Sequence, residues 1–226
     1  MTMRAGPGAA AAVLAVSCLL TGCTAAAAGP SASPAGSASP AASASPSPDS
    51  ATASTDYAST AFLVPFTVEV PPTLALDQEE ERFVTWQSST DPEERVRFLA
   101  PIVYYPPGSD SSAPPPADYD AYLDDLVAEG AQFDDTETVT VAGDAVRVGT
   151  LVGTTDLDGA LGCWAADAAP DDDPCYGPQA DLALRIAVVE HGGTPLLLWA
   201  RTLADQPDEE FFRTFEAMLA TLQFKD

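Results

Sequence analysis

Basic residues are scarce in this chain. Nine Lys and Arg stand against 34 Asp and Glu, a formal charge of -25, and Lys225 is the one lysine. A surface this acidic repels phosphate backbones and anionic headgroups, which excludes nucleic-acid binding and polybasic membrane docking. Histidine occurs once, at His191 beside Gly192-Gly193. As a general base it would need a nucleophile and an orienting group within hydrogen-bond reach. No Gly-x-Ser-x-Gly elbow, His-Glu-x-x-His pair, P-loop or Gly-x-Gly-x-x-Gly fingerprint accompanies it, so it reads as an exposed turn histidine. Long apolar runs are missing as well. The stretch from Ala9 to Leu20 falls short of the ~20 residues a membrane-spanning helix needs. Cysteine is confined to Cys18, Cys23, Cys163 and Cys175.

What the N-terminus does carry reads as an export signal. Arg4 is the only charge ahead of the apolar run, and the run has signal-peptide length. It closes on Leu20-Thr21-Gly22-Cys23, which resembles a bacterial lipoprotein lipobox. That resemblance implies a signal peptide over 1–22, cleavage before Cys23 and diacylglyceryl transfer to its sulfur. The implied location is the extracytoplasmic face of the cell membrane, with the acyl chains at Cys23 as the means of attachment. Heavy alanine and proline use, with arginine in place of lysine, suggests a GC-rich and actinobacterial source. Cys163 and Cys175 remain as the one pair in the folded part. In an oxidising compartment an isolated pair at that spacing is expected to form a disulfide.

Thr24 to Ser59 is an Ala/Ser/Pro/Thr segment with almost no bulky apolar side chain. It cannot bury enough surface to offset the entropy of ordering, so 23–59 is expected to be a lipidated cysteine followed by a disordered spacer. Its composition also suits O-glycosylation. From 60 to 226 the pattern is that of a globular domain. Phe62, Val64, Phe66, Val68 and Val70 alternate as in a strand, with Pro65 arguing for an edge or a bulge. Strands are expected at Arg82 to Gln87 and Val96 to Tyr105. A helix capped by Asp118 places Tyr119, Tyr122, Leu123, Leu126 and Val127 on one stripe and stops at Gly130. Two strands flank Ala142-Gly143-Asp144, and a hairpin closes at His191-Gly192-Gly193. Asp205 and Pro207 introduce a last helix carrying Phe211, Phe212, Phe215, Met218, Leu219 and Leu222.

Two amphipathic helices each need a sheet face to cover. Short turns between neighbouring strands imply antiparallel pairing. The expected fold is therefore α+β, a mainly antiparallel sheet of about seven strands packed with two amphipathic helices in a sandwich. This element order, with the ending Phe215-Glu216-Ala217-Met218-Leu219-Ala220-Thr221-Leu222-Gln223-Phe224, resembles the PsbP/Mog1-like fold. Actinobacterial envelope lipoproteins of the LpqN type belong to that class. The resemblance implies an envelope lipid or glycolipid as ligand, with a pocket between the sheet and the helix at Asp118 to Glu129, or a membrane-protein partner. The loop from Cys163 to Cys175 has no counterpart in it.

Candidate chemistry is sparse. Asp167, Asp171, Asp172 and Asp173 sit in the disulfide loop, where hard oxygen ligands suit calcium, but the EF-hand spacing is absent and a solvated acidic loop is the competing reading. Trp164 and Tyr176 flank the cysteines: they either anchor a ligand or partner, or pack down over the sheet. No catalytic residue and no cofactor is expected. The leading expectation is a lipid-anchored binding or scaffolding domain of the envelope. The alternatives are a hydrolase using a carboxylate pair and a sensor or regulatory lipoprotein without a small ligand.

Overall fold

Apolar alternation on neighbouring strands forces a sheet that must be covered on both sides, and two helices and a loop do the covering. The computed structural model describes residues 53–154 and 157–225. The expected signal peptide, Cys23 and the spacer up to residue 52 lie outside the described residues. In chain order the first elements are β1 (Thr55–Ala58), β2 (Phe66–Val70), β3 (Leu74–Glu79), β4 (Phe83–Ser88) and β5 (Arg95–Leu99). Then come α1 (Tyr119–Ala128), β6 (Gln132–Val141), β7 (Asp144–Val152), β8 (Gly162–Cys163) and β9 (Cys175–Tyr176). The chain closes with β10 (Leu182–His191), β11 (Thr194–Leu203), α2 (Glu209–Leu219) and β12 (Gln223–Phe224).

The main sheet has seven strands in the order β3-β4-β5-β11-β10-β7-β6, and every pairing in it is antiparallel. The expected α+β fold, with about seven strands and two helices, is the fold observed. One face carries Val84, Trp86, Val96, Phe98, Leu198 and Ala187, against which α2 packs Phe211, Phe212, Phe215, Met218 and Leu219. The other face carries Phe83, Leu99, Leu151, Leu184, Ile186 and Trp199, covered by Tyr119, Tyr122, Leu123 and Leu126 of α1 and by Leu157, Leu161 and Tyr176. The sheet is thus the middle layer between two helical covers. Among the described residues no helix is long and apolar enough to cross a membrane.

Local chemistry explains the helix ends. Asp118 accepts from the Ala121 N–H at 3.0 Å, and Gly130 ends α1 at φ +107°, a conformation that favours glycine. Asp208, rather than Asp205 or Pro207, caps α2: its Oδ1 accepts from the N–H groups of Glu210 and Phe211 at 2.8 and 2.9 Å. Glu209 and Glu210 in the first turn add favourable charge at the helix N-terminus. Both long hairpins close through two residues of positive φ, Ala142 and Gly143 in one and Gly192 and Gly193 in the other. That geometry matches the twist of the strands they join.

Several expectations are corrected. The spacer boundary at 59 is too late, because Thr55–Ala58 pairs with β2 and Tyr57 sets its ring edge-on to Trp86 at 5.2 Å. The strand expected from Phe62 begins after Pro65, which has no N–H to donate, and β2 runs between β1 and β12 instead of along an edge. The strand expected from Val96 to Tyr105 stops at Leu99, since Pro101 cannot continue the ladder; Val103 and Tyr104 make isolated bridges to Cys163 and Ala113. Val127 faces solvent, 43 % exposed. β3 was not expected at all. It is an edge strand, its outer residues are exposed, and its register shifts between Leu76 and Gln78, both features that blunt an unpaired edge.

Candidate functional site

The site is built by a loop clamped over half of one sheet face. Cys163 and Cys175 are joined by a disulfide and pair with each other across β8 and β9. The Tyr105 hydroxyl donates to the Ala168 carbonyl, and the Tyr119 and Tyr122 hydroxyls donate to the Leu161 and Ala160 carbonyls at 3.0 Å each. Burial pushes the Tyr119 and Tyr122 phenols well above their ordinary value, so they remain donors throughout the working pH range. Close approach fixes the rest of the loop. A Cβ at Gly177 would overlap the Leu157 carbonyl oxygen, so the chain passes there only without a side chain.

Beside this loop the sheet is open, and a groove of about 820 Å³ remains. Strand register determines its floor. Arg97 stands between Thr85 on β4 and Trp199 on β11, and in the next rank Arg95 stands directly opposite Arg201. Period-2 alternation puts Arg95, Arg97, Trp199 and Arg201 on the same face. Phe83 of β4, Arg82 just ahead of it, and Trp164, Cys175 and Tyr176 of the loop complete the walls. Four of the chain's nine basic residues therefore gather in one depression of an acidic molecule. Like charges directly opposite on paired strands destabilise a sheet, so this grouping costs stability in the free protein.

The aromatic residues hold the arginine. The Arg97 guanidinium carbon lies 5.2 Å from the centre of the Phe83 ring, 5.1 Å from that of Trp164 and 5.9 Å from that of Tyr176. Phe83 and Trp164 are in mutual contact at 4.6 Å, and Tyr176 stacks on Trp199 at 4.7 Å. Arg97 Nε donates to Thr85 Oγ1 at 2.9 Å. No carboxylate among the described residues comes within 4.0 Å of the Arg97 nitrogens, whereas Arg201 reaches Glu93 at 3.6 Å. Burial pulls the Arg97 guanidinium below its ordinary value, and the neighbouring Arg201 and Arg95 charges add to this. It stays cationic, since arginine starts so high. The carboxylates nearby, Glu80, Glu81, Asp171, Asp172 and Asp173, are all exposed and form the rim. The Tyr176 hydroxyl oxygen is buried and has no hydrogen-bond partner among the described residues.

Trp164 and Tyr176 both pack down against the sheet, on Phe83 and Trp199, and both line the groove. Asp171, Asp172 and Asp173 stand at the rim while Asp167 lies outside the lining. Asp172 Oδ2 accepts from the Ala169 N–H at 2.8 Å, and no group of three or more His, Cys, Asp or Glu among the described residues is disposed to hold a metal. His191 is half-buried rather than exposed, because its ring stacks on Phe224 at 4.4 Å. Among the described residues two close carboxyl pairs lie outside the groove lining: Glu94 with Asp208 at the cap of α2, and Glu137 with Glu216 beside Arg185. The pocket expected beside Asp118 to Glu129 is filled along most of α1 by Leu123 and Leu126. A smaller cleft of about 630 Å³ remains at its N-terminal end, between Asp118, Tyr119 and the hairpin at Val188 and Pro195. The arginines were missed in the sequence. Arg95-x-Arg97 within a strand pattern, in so arginine-poor a chain, is the signal that marks them.

No family model matches the chain, and no curated protein matches it either. Among solved structures it is similar to the solution structure of cyanobacterial PsbP (CyanoP) from Synechocystis sp. PCC 6803. That likeness has a TM-score of 0.42 and 9 % identity over 81 % of this chain and 99 % of that one. A crystal structure from Bacteroides thetaiotaomicron VPI-5482 is similar at a TM-score of 0.36 and 9 % identity, over 71 % of this chain and 45 % of that chain. Likeness at this level concerns the arrangement of elements and says nothing of activity or ligand.

Proposed function

We propose that this chain is a non-enzymatic binding lipoprotein, anchored through Cys23 at the extracytoplasmic face of a bacterial cell membrane, and that the arginine-floored groove is its ligand site. One observation carries the site assignment: a half-buried guanidinium, ringed by Phe83, Trp164 and Tyr176, with no carboxylate partner within 4.0 Å among the described residues. Charges in such surroundings are ordinarily paired, and a groove that leaves one unpaired favours a ligand that supplies the missing partner. The aromatic surfaces suit the apolar or sugar-ring part of an envelope lipid or glycolipid. The LpqN-type resemblance in the sequence points to the same ligand class.

The anchor and the spacer give this binding its geometry. A domain tethered at Cys23 by some thirty residues meets membrane-bound ligands at a high effective concentration, so modest affinity suffices. The disulfide suits the oxidising compartment that the lipobox implies. Two measurements test the reading. Cys23→Ser is expected to move the protein from the membrane to the soluble fraction, and retention in the membrane counts against the anchor. Native extraction with mass spectrometry is expected to find a co-purifying lipid or glycolipid. A protein that carries none and captures none from an envelope extract refutes the binding role.

A further inference from the structure

The groove combines two opposite charges in separate layers. Its floor is cationic, with Arg95, Arg97 and Arg201 grouped by strand register. Its rim is anionic, with the exposed carboxylates of Asp171, Asp172, Asp173 and Glu80, and with Glu81 paired to Arg82 at 3.9 Å. A guanidinium offers a planar fork of donors matched to two oxygens of a phosphate, sulfate or carboxylate. Arg97 uses its Nε on Thr85, and its terminal nitrogens have no hydrogen-bond partner among the described residues. Arg95 has one long contact, from Nε to the Pro92 carbonyl at 3.4 Å. Arg201 is engaged by Glu93, through Nε to the carbonyl at 3.1 Å and Nη2 to the carboxylate at 3.6 Å, so the unused donors of the floor are those of Arg97 and Arg95, on the same face of β5.

The rim limits what can approach them. A polyanion or a flat anionic membrane surface brings many negative charges past Asp171, Asp172 and Asp173 at once, and the whole molecule carries -25. Repulsion over that approach outweighs one favourable contact at the bottom. A ligand with a single oxyanion on a neutral carrier faces much less of it, and its carrier lies against Trp164.

We infer that the groove selects a ligand bearing one phosphate-type oxyanion on an otherwise uncharged, ring-containing carrier, with Arg97 and Arg95 holding the oxyanion and Trp164 lying against the carrier. The inference rests on the groove being the ligand site and adds the charge class of the ligand. The oxyanion belongs either to a soluble sugar phosphate or to the headgroup of a phosphorylated glycolipid.

The full chain, titrated calorimetrically with glucose 1-phosphate, glucose, ATP and inorganic phosphate, separates these cases. Glucose 1-phosphate is expected to bind saturably, ATP and phosphate at least tenfold more weakly, and glucose not at all. Arg97→Met is expected to weaken glucose 1-phosphate binding at least tenfold and Arg97→Lys to restore part of it, while the exposed-site control Arg213→Met leaves it unchanged. Asp171→Asn with Asp173→Asn is expected to narrow the gap between ATP and the sugar phosphate. Vesicles of neutral phospholipid doped with a phosphorylated glycolipid, compared with vesicles doped with phosphatidylglycerol, tell the two sources apart: capture by the former alone assigns a headgroup. Unfolding midpoints confirm that each variant is folded. Binding of glucose 1-phosphate that survives Arg97→Met, or tighter binding of ATP by the unaltered protein, overturns the inference. An uncharged lipid bound equally by Arg97→Met also overturns it, while leaving the binding role itself in place.

Discussion

Arg185 provides the sharpest stability test, because it is the most completely enclosed charge with all its partners identified. It lies on β10 under α2, and its side chain is 7 % exposed. Nε donates to Glu216 Oε1 at 2.6 Å, Nη1 to the Asp135 carbonyl at 2.7 Å and to Thr150 Oγ1 at 3.3 Å, and Nη2 to Glu137. The register shift between Asp134 and Glu137, with Asp135 at φ +51°, is what turns that carbonyl and carboxylate toward the guanidinium. Arg185→Met keeps an unbranched stem as far as the position of Nε and removes the charge. Glu137, half exposed, regains water; Glu216, with a side chain 19 % exposed, does not. Stranding one member of a buried pair costs about 3–5 kcal/mol, and the partial exposure of Glu216 places this case near the lower end.

The pH dependence of that loss is specific. Burial already pushes the Glu216 carboxyl up, Arg185 opposes it, and Glu137 adds to the rise. Without Arg185 the opposing influence is gone, so the folded-state value climbs further above the unfolded one. A group raised in the folded state favours folding below its unfolded pKa and loses that contribution as pH rises through the folded value. The deficit of Arg185→Met is therefore expected to be about 3 kcal/mol at neutral pH and to shrink towards about 1 kcal/mol at about pH 3, below the ordinary glutamate range, where the folded and unfolded chains no longer differ in the charge of Glu216. Adding Glu216→Gln is expected to recover most of the neutral-pH loss. Urea unfolding followed by the fluorescence of buried Trp86 and Trp199 measures all three proteins. A deficit equal at both pH values, or no recovery in the double variant, refutes the reasoning.

Three further outcomes are expected. Replacing both Cys163 and Cys175 by Ala opens a loop of sequence separation 12, a loss of about 3 kcal/mol on the chain-entropy model and a fall of roughly 6–12 °C in a melting curve; a shift below about 2 °C shows that the tyrosine clamps alone hold the loop. Glu94→Gln is expected to raise the melting temperature at neutral pH and leave it nearly unchanged at acid pH. Burial pushes Glu94 up, aided by Asp208 and Asp91, so its ionised form opposes folding above its folded-state value; a variant destabilised at neutral pH contradicts this. Gly177→Ala, whose Cβ meets the Leu157 carbonyl, is expected to cost over 2 kcal/mol or so. Gly192→Ala, at φ +58° with open space around it, should cost about 1 kcal/mol; equal losses in urea titrations would show that the close approach at Gly177 relaxes without penalty.

Legibility in the sequence followed the range of the forces involved. α1, α2 and the hairpin turns were readable because caps, apolar stripes and positive-φ turn residues act within a few positions. β1 and β3 were not. Thr55–Ala58 is polar and becomes a strand through hydrogen bonds to β2 and the Tyr57 contact with Trp86, while Leu74–Glu79 has little alternation and pairs as an edge. The site divided in the same way. Trp164, Tyr176 and the two cysteines stood out locally, but Arg95, Arg97 and Arg201 meet only because β5 pairs with β11, a contact spanning about half the chain. Likewise the Asp135 carbonyl meets Arg185, 50 residues further on, and no local pattern marks it.

By itself the sequence determined the acidity, the isolated cysteine pair and the α+β element order, since composition and short-range periodicity express each of these directly. Tertiary structure alone decided where the rare positive charges gather and which aromatic rings surround them. Strand register makes those neighbours, and register emerges from pairing residues far apart in the chain, so no local pattern encodes it.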